Sequence, residues 1–301
     1  VGSRHHLHEI RYKCVRLGGM GALNRPGRLL HFLAVFLVQS AADKLEGDGF
    51  YLANDGDWRG VKMHDILETV MGVNEEGDID ALITGFDEYS ERKRLGMNLG
   101  YEKGDVIEKT VSAALKRRAN RTQTFAVLEV GAHFGDGTLR IVRAMQKHLG
   151  GSEGIVVSFE GNKGWASGCK SLVGYALGGK SSGIGKVRHE TLVVKPKAVV
   201  AAASAVLQHH GLSHFGVVLL DHDHKRYLAD LKGMVEAGAI PVGGVVHADN
   251  AGRDERILGK YLEYVGGGGP FETRYEEISR PYPDRVAISS YKGGKASGTE
   301  L

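Results

Sequence analysis

The stretch Phe125-Ala-Val-Leu-Glu-Val-Gly-Ala-His-Phe-Gly-Asp-Gly137 decides the fold. Six residues, apolar except for Glu129, run straight into a turn holding three glycines, and a helical pattern follows. A short apolar run without alternation marks a strand buried on both faces, and such strands belong to parallel sheets covered by helices. Outward from it, similar runs recur at 154–159, 190–194, 215–220 and 240–247, each separated from the next by enough chain for a helix. That succession predicts an α/β fold with a mostly parallel sheet. Two more runs, 271–276 and 285–291, flank a Pro-containing turn and predict an antiparallel pair. Upstream, helices are expected near 61–72, 78–94 and 103–118, the last ending in Lys116-Arg117-Arg118, cations suited to a helix C-terminus.

Composition narrows the function classes. Lys+Arg 39 against Asp+Glu 36 leaves a net charge of +3 on 301 residues, too even a balance for nucleic acid as the main partner. With only Cys14 and Cys169, neither a disulfide scaffold nor a cysteine-rich zinc module can form, and a reduced intracellular setting fits. Position 1 is Val rather than Met, and a trimmed or engineered start is the expectation. Residues 1–42 are basic, net +5, with an apolar run at Leu29–Val38 followed by small residues. This is the pattern of a signal or anchor segment, although ten residues cannot cross a bilayer as a helix. The alternative is a helix packed on the main domain. The chain is therefore expected to be cytoplasmic, or membrane-anchored through residues 1–42. Residues 1–57 read as an extension with a linker, 58–294 as one domain (helices over 58–120, sheet core over 121–294), and 295–301 as a tail.

In open α/β sheets, ligands bind outside the carboxyl ends of the strands. Four of the expected strands end in an acid: Glu129, Glu160, Asp221 and Asp249. Four carboxylates facing one crevice repel each other unless a cation sits among them, so a cationic ligand, a metal or both is expected. The glycine turn, with Gly131, Gly135 and Gly137, allows backbone to approach a nucleotide-like cofactor closely. Its spacing also suits the nucleotide loop of short-chain dehydrogenases. However, Glu129 is awkward beside a pyrophosphate, and the Tyr-x-x-x-Lys pair Tyr89 and Lys93 precedes the loop. The run Asp221-His222-Asp223-His224-Lys225, with Asp249-Asn250, offers Asp, Asp and Asn as hard oxygen ligands suited to Mg²⁺. Its alternating Asp and His leave zinc as the minor alternative. Three other motifs read blandly: Gly178–Lys186 as a turn, His209, His210 and His214 as a solvated helix end, and Asn120-Arg121-Thr122 as a sequon relevant only in a lumenal setting.

Several separated motifs in order resemble the catechol O-methyltransferase family from about residue 60 to 294. They are Met97-Asn98-Leu99-Gly100 with Lys103-Gly104, Leu128-Glu129-Val130-Gly131-Ala132, Leu220-Asp221-His222 with Arg226-Tyr227-Leu228, Ala248-Asp249-Asn250, and Tyr291-Lys292-Gly293. The resemblance implies a Rossmann-like class I methyltransferase fold, with a mostly parallel seven-stranded sheet, an antiparallel C-terminal pair and helices on both faces. It also implies S-adenosylmethionine as methyl donor and Mg²⁺ as cofactor. By position, Leu99, Glu129, Gly131, His133 and Gly137 would line the methionine side of the donor. Glu160 would hold the ribose hydroxyls and His222 would lie near the adenosyl group. Asp221, Asp249 and Asn250 would ligate Mg²⁺, with Met97, Asn250 and Glu277 near the acceptor.

The sequence departs from the family at the acceptor end. The family's Trp and Lys after its Asp-His pair are Asp223 and His224 here, with Lys225 one place on. The apolar stretch after Asn250 is Ala251-Gly252-Arg253-Asp254-Glu255, and the tyrosines of the glycine turn are His133 and Asp136. The expected reaction is methyl transfer to a small aromatic diol, with His224 or Lys225 as base. The alternatives are a methyltransferase-like binding domain without turnover and, third, an NAD-dependent dehydrogenase.

Overall fold

The computed structural model describes residues 57–58, 61–93, 99–178, 186–252, 255–280 and 282–294. The basic segment 1–42, Met97 and the 179–185 part of the glycine-rich turn lie outside the described residues.

Seven strands form the main sheet: β1 (Phe125–Val130), β2 (Glu153–Glu160), β3 (Lys186–Val193), β4 (Val217–Leu220), β5 (Val245–Ala248), β6 (Phe271–Ile278) and β7 (Asp284–Tyr291). Their order is β3-β2-β1-β4-β5-β7-β6, parallel from β3 to β5 and antiparallel through β7 and β6. The helices are α1 (Met63–Val73), α2 (Ile79–Lys93), α3 (Gly100–Arg117), α4 (Asp136–His148), α5 (Lys163–Ala176), α6 (Val199–His210), α7 (Tyr227–Glu236) and α8 (Glu255–Gly266).

Side chains alternate across a strand, so β1 serves two cores. Phe125 and Val127 pack with Leu82, Ile107, Val111, Leu139 and Leu172 beneath α2 to α5. Ala126, Leu128 and Val130 pack with Val206, Leu231 and Leu258 beneath α6 to α8. Glu129 continues the Phe125 and Val127 face, so the same alternation drives a carboxylate into the α4 side of the core.

Three strand boundaries differ from the pattern reading. The run at 240–247 is half turn: Gly243 has φ +82° and the Gly244 N–H reaches the Pro241 carbonyl at 2.8 Å, so β5 begins at Val245. β4 likewise starts at Val217, two residues into its apolar run. β3 runs from Lys186, because an edge strand is open enough to carry the polar Arg188 and Glu190 and so does not read as continuously apolar.

The sheet reverses its winding between β1 and β4, which pair directly through Val130 and Leu220. Beyond that pair the Asp221 N–H donates to the Val130 carbonyl at 2.9 Å, and a crevice opens at the carboxyl ends.

Candidate active site

The crevice is a cleft of about 440 Å³. Leu99, Gly131, His133, Glu160, Asp221, His222, His224, Asp249 and Asn250 all line it, bringing most of the sequence candidates together.

Its floor is the glycine turn. Gly131 takes φ +101°, and a Cβ there would lie 2.1 Å from the Asp221 carbonyl oxygen, so only glycine lets β1 and β4 meet this closely. The Gly131 and Ala132 N–H groups donate to the Phe159 carbonyl at 2.9 and 3.1 Å. His133 follows at φ +49°, and its N–H donates to Glu160 Oε2 at 2.8 Å, while the Asn162 N–H donates to Oε1 at 2.9 Å. Burial raises the Glu160 pKa above the usual range, against the pull of those N–H donors.

Glu129 and Gly137 lie beneath this floor. The Glu129 carboxylate accepts from Thr138 Oγ1 at 2.5 Å and Ser158 Oγ at 2.6 Å, and a Cβ on Gly137 would come within 2.6 Å of it. Burial pushes Glu129 up to about 7 despite those hydroxyls. Asp136 is buried beside Arg140, accepts the Leu99 N–H at 3.3 Å, and is pushed by burial to about 6.

An apolar wall with unpaired polar atoms forms the next side. It is built from Phe159, Trp165, Val194, Pro196 and Val199. The His133 ring packs edge-on to Trp165 at 4.5 Å, and burial depresses its pKa to about 3. His133 Nε2, Trp165 Nε1 and His222 Nδ1 are buried with no hydrogen-bond partner among the described residues. The other nitrogen of His222 is held by the buried Asp230, Nε2 to Oδ2 at 2.9 Å, which fixes the ring with Nδ1 available.

The acid cluster lies at the ends of β4 and β5. Asp221 and Asp249 follow the last strand residues, and Asn250 takes φ +59°, a conformation asparagine tolerates. This turns its amide back over the carboxylates, with Nδ2 2.9 Å from Asp249 Oδ2 and 3.4 Å from Asp221 Oδ1. Burial, then the adjacent Asp249 charge, push the Asp221 carboxyl well above the usual carboxylate range. Among the described residues no three or more His, Cys, Asp and Glu side chains form a ready metal cluster. The third candidate ligand is an amide, and a lysine stands among the oxygens.

That lysine is Lys103, which the sequence reading did not assign to the site. Its Nζ lies 2.9 Å from Asp249, 2.8 Å from Asp284 Oδ2 and 3.2 Å from Asn250 Oδ1. Burial opposes its charge, but Asp249 and Asp284 outweigh burial and raise its pKa above the ordinary lysine value. The signal was present: Lys103 shares the buried stripe of α3 with Val106, Ile107, Thr110 and Ala114, where a cation needs an acid partner. Asp284 and Tyr282 were also missed. Both line the cleft, Tyr282 from the turn before β7 and Asp284 as the first residue of β7. That turn is tied to α3 by Glu102, whose Oε2 accepts the Ser279 and Arg280 N–H groups at 2.6 and 3.1 Å.

The two candidate bases part company. β4 ends at Leu220, and Asp223 caps a 3₁₀ turn over His224–Arg226 by accepting the Lys225 N–H at 3.2 Å. His224 lines the cleft, its ring edge-on to the buried Tyr227 at 5.2 Å, whereas Lys225 is exposed and outside the cleft lining. Because the strand stops at Leu220, the alternating Asp and His of 221–224 do not share a strand face. Glu277 is exposed on β6, also outside the cleft lining. His209 and His210 end α6 at the left-handed Gly211, and His210 pairs with Glu190 at 3.1 Å. Tyr89 is buried in the α2 core, away from the cleft.

The reversed sheet, its glycine turn and the β7–β6 edge define a Rossmann-like class I methyltransferase fold. The solved structure of the O-methyltransferase from Bacillus cereus with SAH superposes with a TM-score of 0.50 at 15% identity, covering 87% of this chain and all of that one. No family model matches the chain. A probable O-methyltransferase of Mycobacterium tuberculosis is 30% identical over 227 residues, 72% of this chain and 86% of the relative. Catechol O-methyltransferase of Bos taurus is 26% identical over 239 residues, 76% of each chain. The chain belongs to the S-adenosylmethionine-dependent O-methyltransferases, the family that includes the catechol O-methyltransferases. These relationships set the dehydrogenase alternative aside. Among the described residues no helix is long and apolar enough to cross a membrane.

Proposed function

We propose that this O-methyltransferase transfers the methyl group of S-adenosylmethionine to one hydroxyl of a small catechol-type acceptor, with Mg²⁺ as cofactor. The observation that carries the reading is the convergence of Asp221, Asp249 and Asn250 at the end of a cleft floored by the glycine turn.

The residues fit both groups. With all three carboxylates ionised, as on binding a cation, Asp221, Asp249 and Asp284 against Lys103 leave two net negative charges, which a divalent ion balances. Asp249 Oδ1 is buried and accepts no hydrogen bond among the described residues, although Lys103 pairs with it at 2.9 Å. Asp221, Asp249 and Asn250 would hold the ion, which when bound supplies Lewis acidity that eases deprotonation of a phenolic hydroxyl. For the donor, the unpaired His222 Nδ1 and the Glu160 carboxylate suit the adenosine end. Leu99 and Gly131 line the cleft where the cationic methionine end would lie, with Glu129 beneath them as a buried carboxyl rather than a lining group, and the donor supplies its methyl on a sulfonium.

The chain's own part is to orient and to move one proton. A free phenol has a pKa of about 10, so few acceptor molecules are nucleophilic at neutral pH. His224 stands over the cleft beside Asp223 and is the residue to take that proton, with its ring steadied by Tyr227. Tyr227 is itself anchored by its hydroxyl donating to the Leu220 carbonyl at 2.7 Å. Tyr282 adds an aromatic ring to the lining of the cleft.

The experiment is incubation with labelled S-adenosylmethionine and a panel of catechols, each beside its monophenol. Labelling of catechols alone is the expected result. Equal labelling of monophenols would refute the diol reading. Donor binding without labelling of any acceptor would favour the alternative, a binding domain, to which the polar stretch after Asn250 gives some support.

A further inference from the structure

Lys103 takes up the oxygens that a metal at this site requires. Its Nζ lies 2.9 Å from both Asp249 oxygens and 3.2 Å from Asn250 Oδ1, with Asp284 Oδ2 at 2.8 Å. These partners are not equivalent. Asp284 is fixed independently, because its Oδ1 accepts the Gly252 N–H at 3.2 Å and the Arg285 N–H at 2.8 Å. Its Oδ2 is left for the lysine. Asp249 and Asn250, by contrast, are the groups an entering ion would claim. The backbone of Lys103 is held in α3 by the buried Val106, Ile107 and Val111, so only its flexible four-carbon stem can yield.

We infer that Lys103 is a built-in competitor for the metal, closing the site on Asp249 and Asn250 when no ion is present and withdrawing onto Asp284 when one enters. This rests on the magnesium reading above. Charge supports it: the ammonium covers part of the acid cluster's charge without an ion, and with it kept on Asp284 the cluster still holds two net negative charges for a divalent ion. The Asn250 amide follows the same exchange. It now presents Nδ2 to the two carboxylates and Oδ1 to Lys103, and half a turn of the amide presents Oδ1 to an ion instead. Asp284 is then a positioning residue, because it determines where the lysine goes.

Two variants separate competition from simple support of the site. Binding of Mn²⁺ to the full chain, with no donor or acceptor present, is read from the free-ion signal in electron paramagnetic resonance. Thermal melts check that each variant is folded. Lys103→Met should bind Mn²⁺ about tenfold more tightly, because one positive charge beside a divalent ion is gone. Asp284→Asn should bind several-fold more weakly, because the lysine loses its resting place and stays on Asp249 and Asn250. A lysine that merely supports the site would give weaker binding in both. Unchanged or weaker binding by Lys103→Met, with wild type binding normally, overturns the inference. So does unchanged or tighter binding by Asp284→Asn. Should Lys103→Met not fold, Lys103→Gln, which also removes the charge but keeps a polar side chain, is expected to bind more tightly and is read in the same way. Failure of wild type to bind Mn²⁺ at millimolar concentration overturns the magnesium reading, and the inference with it.

Discussion

Replacing Gly131 with alanine strikes the contact on which the site is built. Gly131 has φ +101°, and its added Cβ would lie 2.1 Å from the Asp221 carbonyl oxygen, 2.6 Å from the carbonyl carbon and 3.0 Å from the His222 nitrogen. Ordinary contact for a Cβ begins at 3.4 Å, so the backbone must separate by more than an ångström. No side chain can absorb that, because every crowded atom is main chain, and the Asp221 N–H is bonded to Val130. Backbone strain and overpacking together should cost about 2–5 kcal/mol. The displaced Asp221 and His222 should lower methyl transfer by ~10²-fold, the usual penalty for an ångström of misplacement. Urea denaturation reads the first effect and initial rates read the second, at a temperature where the variant is folded. Gly174→Ala is the control. It lies exposed on α5 with nothing within 4 Å of its Cβ, and should gain about 0.5–1 kcal/mol. A loss in Gly131→Ala below about 1 kcal/mol, or an unchanged rate, would refute the close approach of β1 and β4.

Other expectations follow from the buried charges. Glu129, raised by burial from 4.5 to about 7, keeps its proton in the folded state where the unfolded chain has lost it. Folding then takes up a proton, so this group's stabilisation is full below pH 4.5 and falls by up to about 3 kcal/mol as pH rises to 7. In donor-free protein, Glu129→Gln should flatten that slope in urea denaturation between pH 4.5 and 8, and an unaltered slope would contradict the burial argument. Arg140 is buried against Asp87, both of whose oxygens lie at 2.6 Å, and against Asp136. Arg140→Met strands those acids and should cost about 3–5 kcal/mol in the same assay, while a neutral result would show that they find other partners. His224→Ala should slow methyl transfer by about 10²–10⁴-fold, with Lys225→Ala close to wild type. The reverse ranking would make Lys225 the base.

The sheet was legible because β1, β2 and β4 are buried on both faces and their apolar runs are continuous. Boundaries slipped where that condition failed, at the edge strand β3 and at the Pro241–Gly244 turn, whose apolar residues are not strand. The acids at strand ends were readable for the same reason: once the strands are placed, Glu160, Asp221 and Asp249 must meet at one edge. Lys103 and Asp284 were not placed, because their pairing joins positions 181 residues apart and no local pattern encodes it. Lys103 was nonetheless exposed as an anomaly by the periodicity of α3. The apolar wall of Trp165, Val194 and Val199 escaped because residues of that kind are ordinary core unless a cleft is known to open beside them.

The reaction proposed for this cleft is metal-assisted methyl transfer from S-adenosylmethionine to a catechol oxygen. Its most direct measurement is the initial rate of label transfer to a catechol with Mg²⁺, with excess chelator, and after Mg²⁺ is restored. Labelling that chelator abolishes and added Mg²⁺ recovers is the expected result, with Asp249→Ala inactive throughout. Labelling that persists in chelator, or in Asp249→Ala, would contradict it.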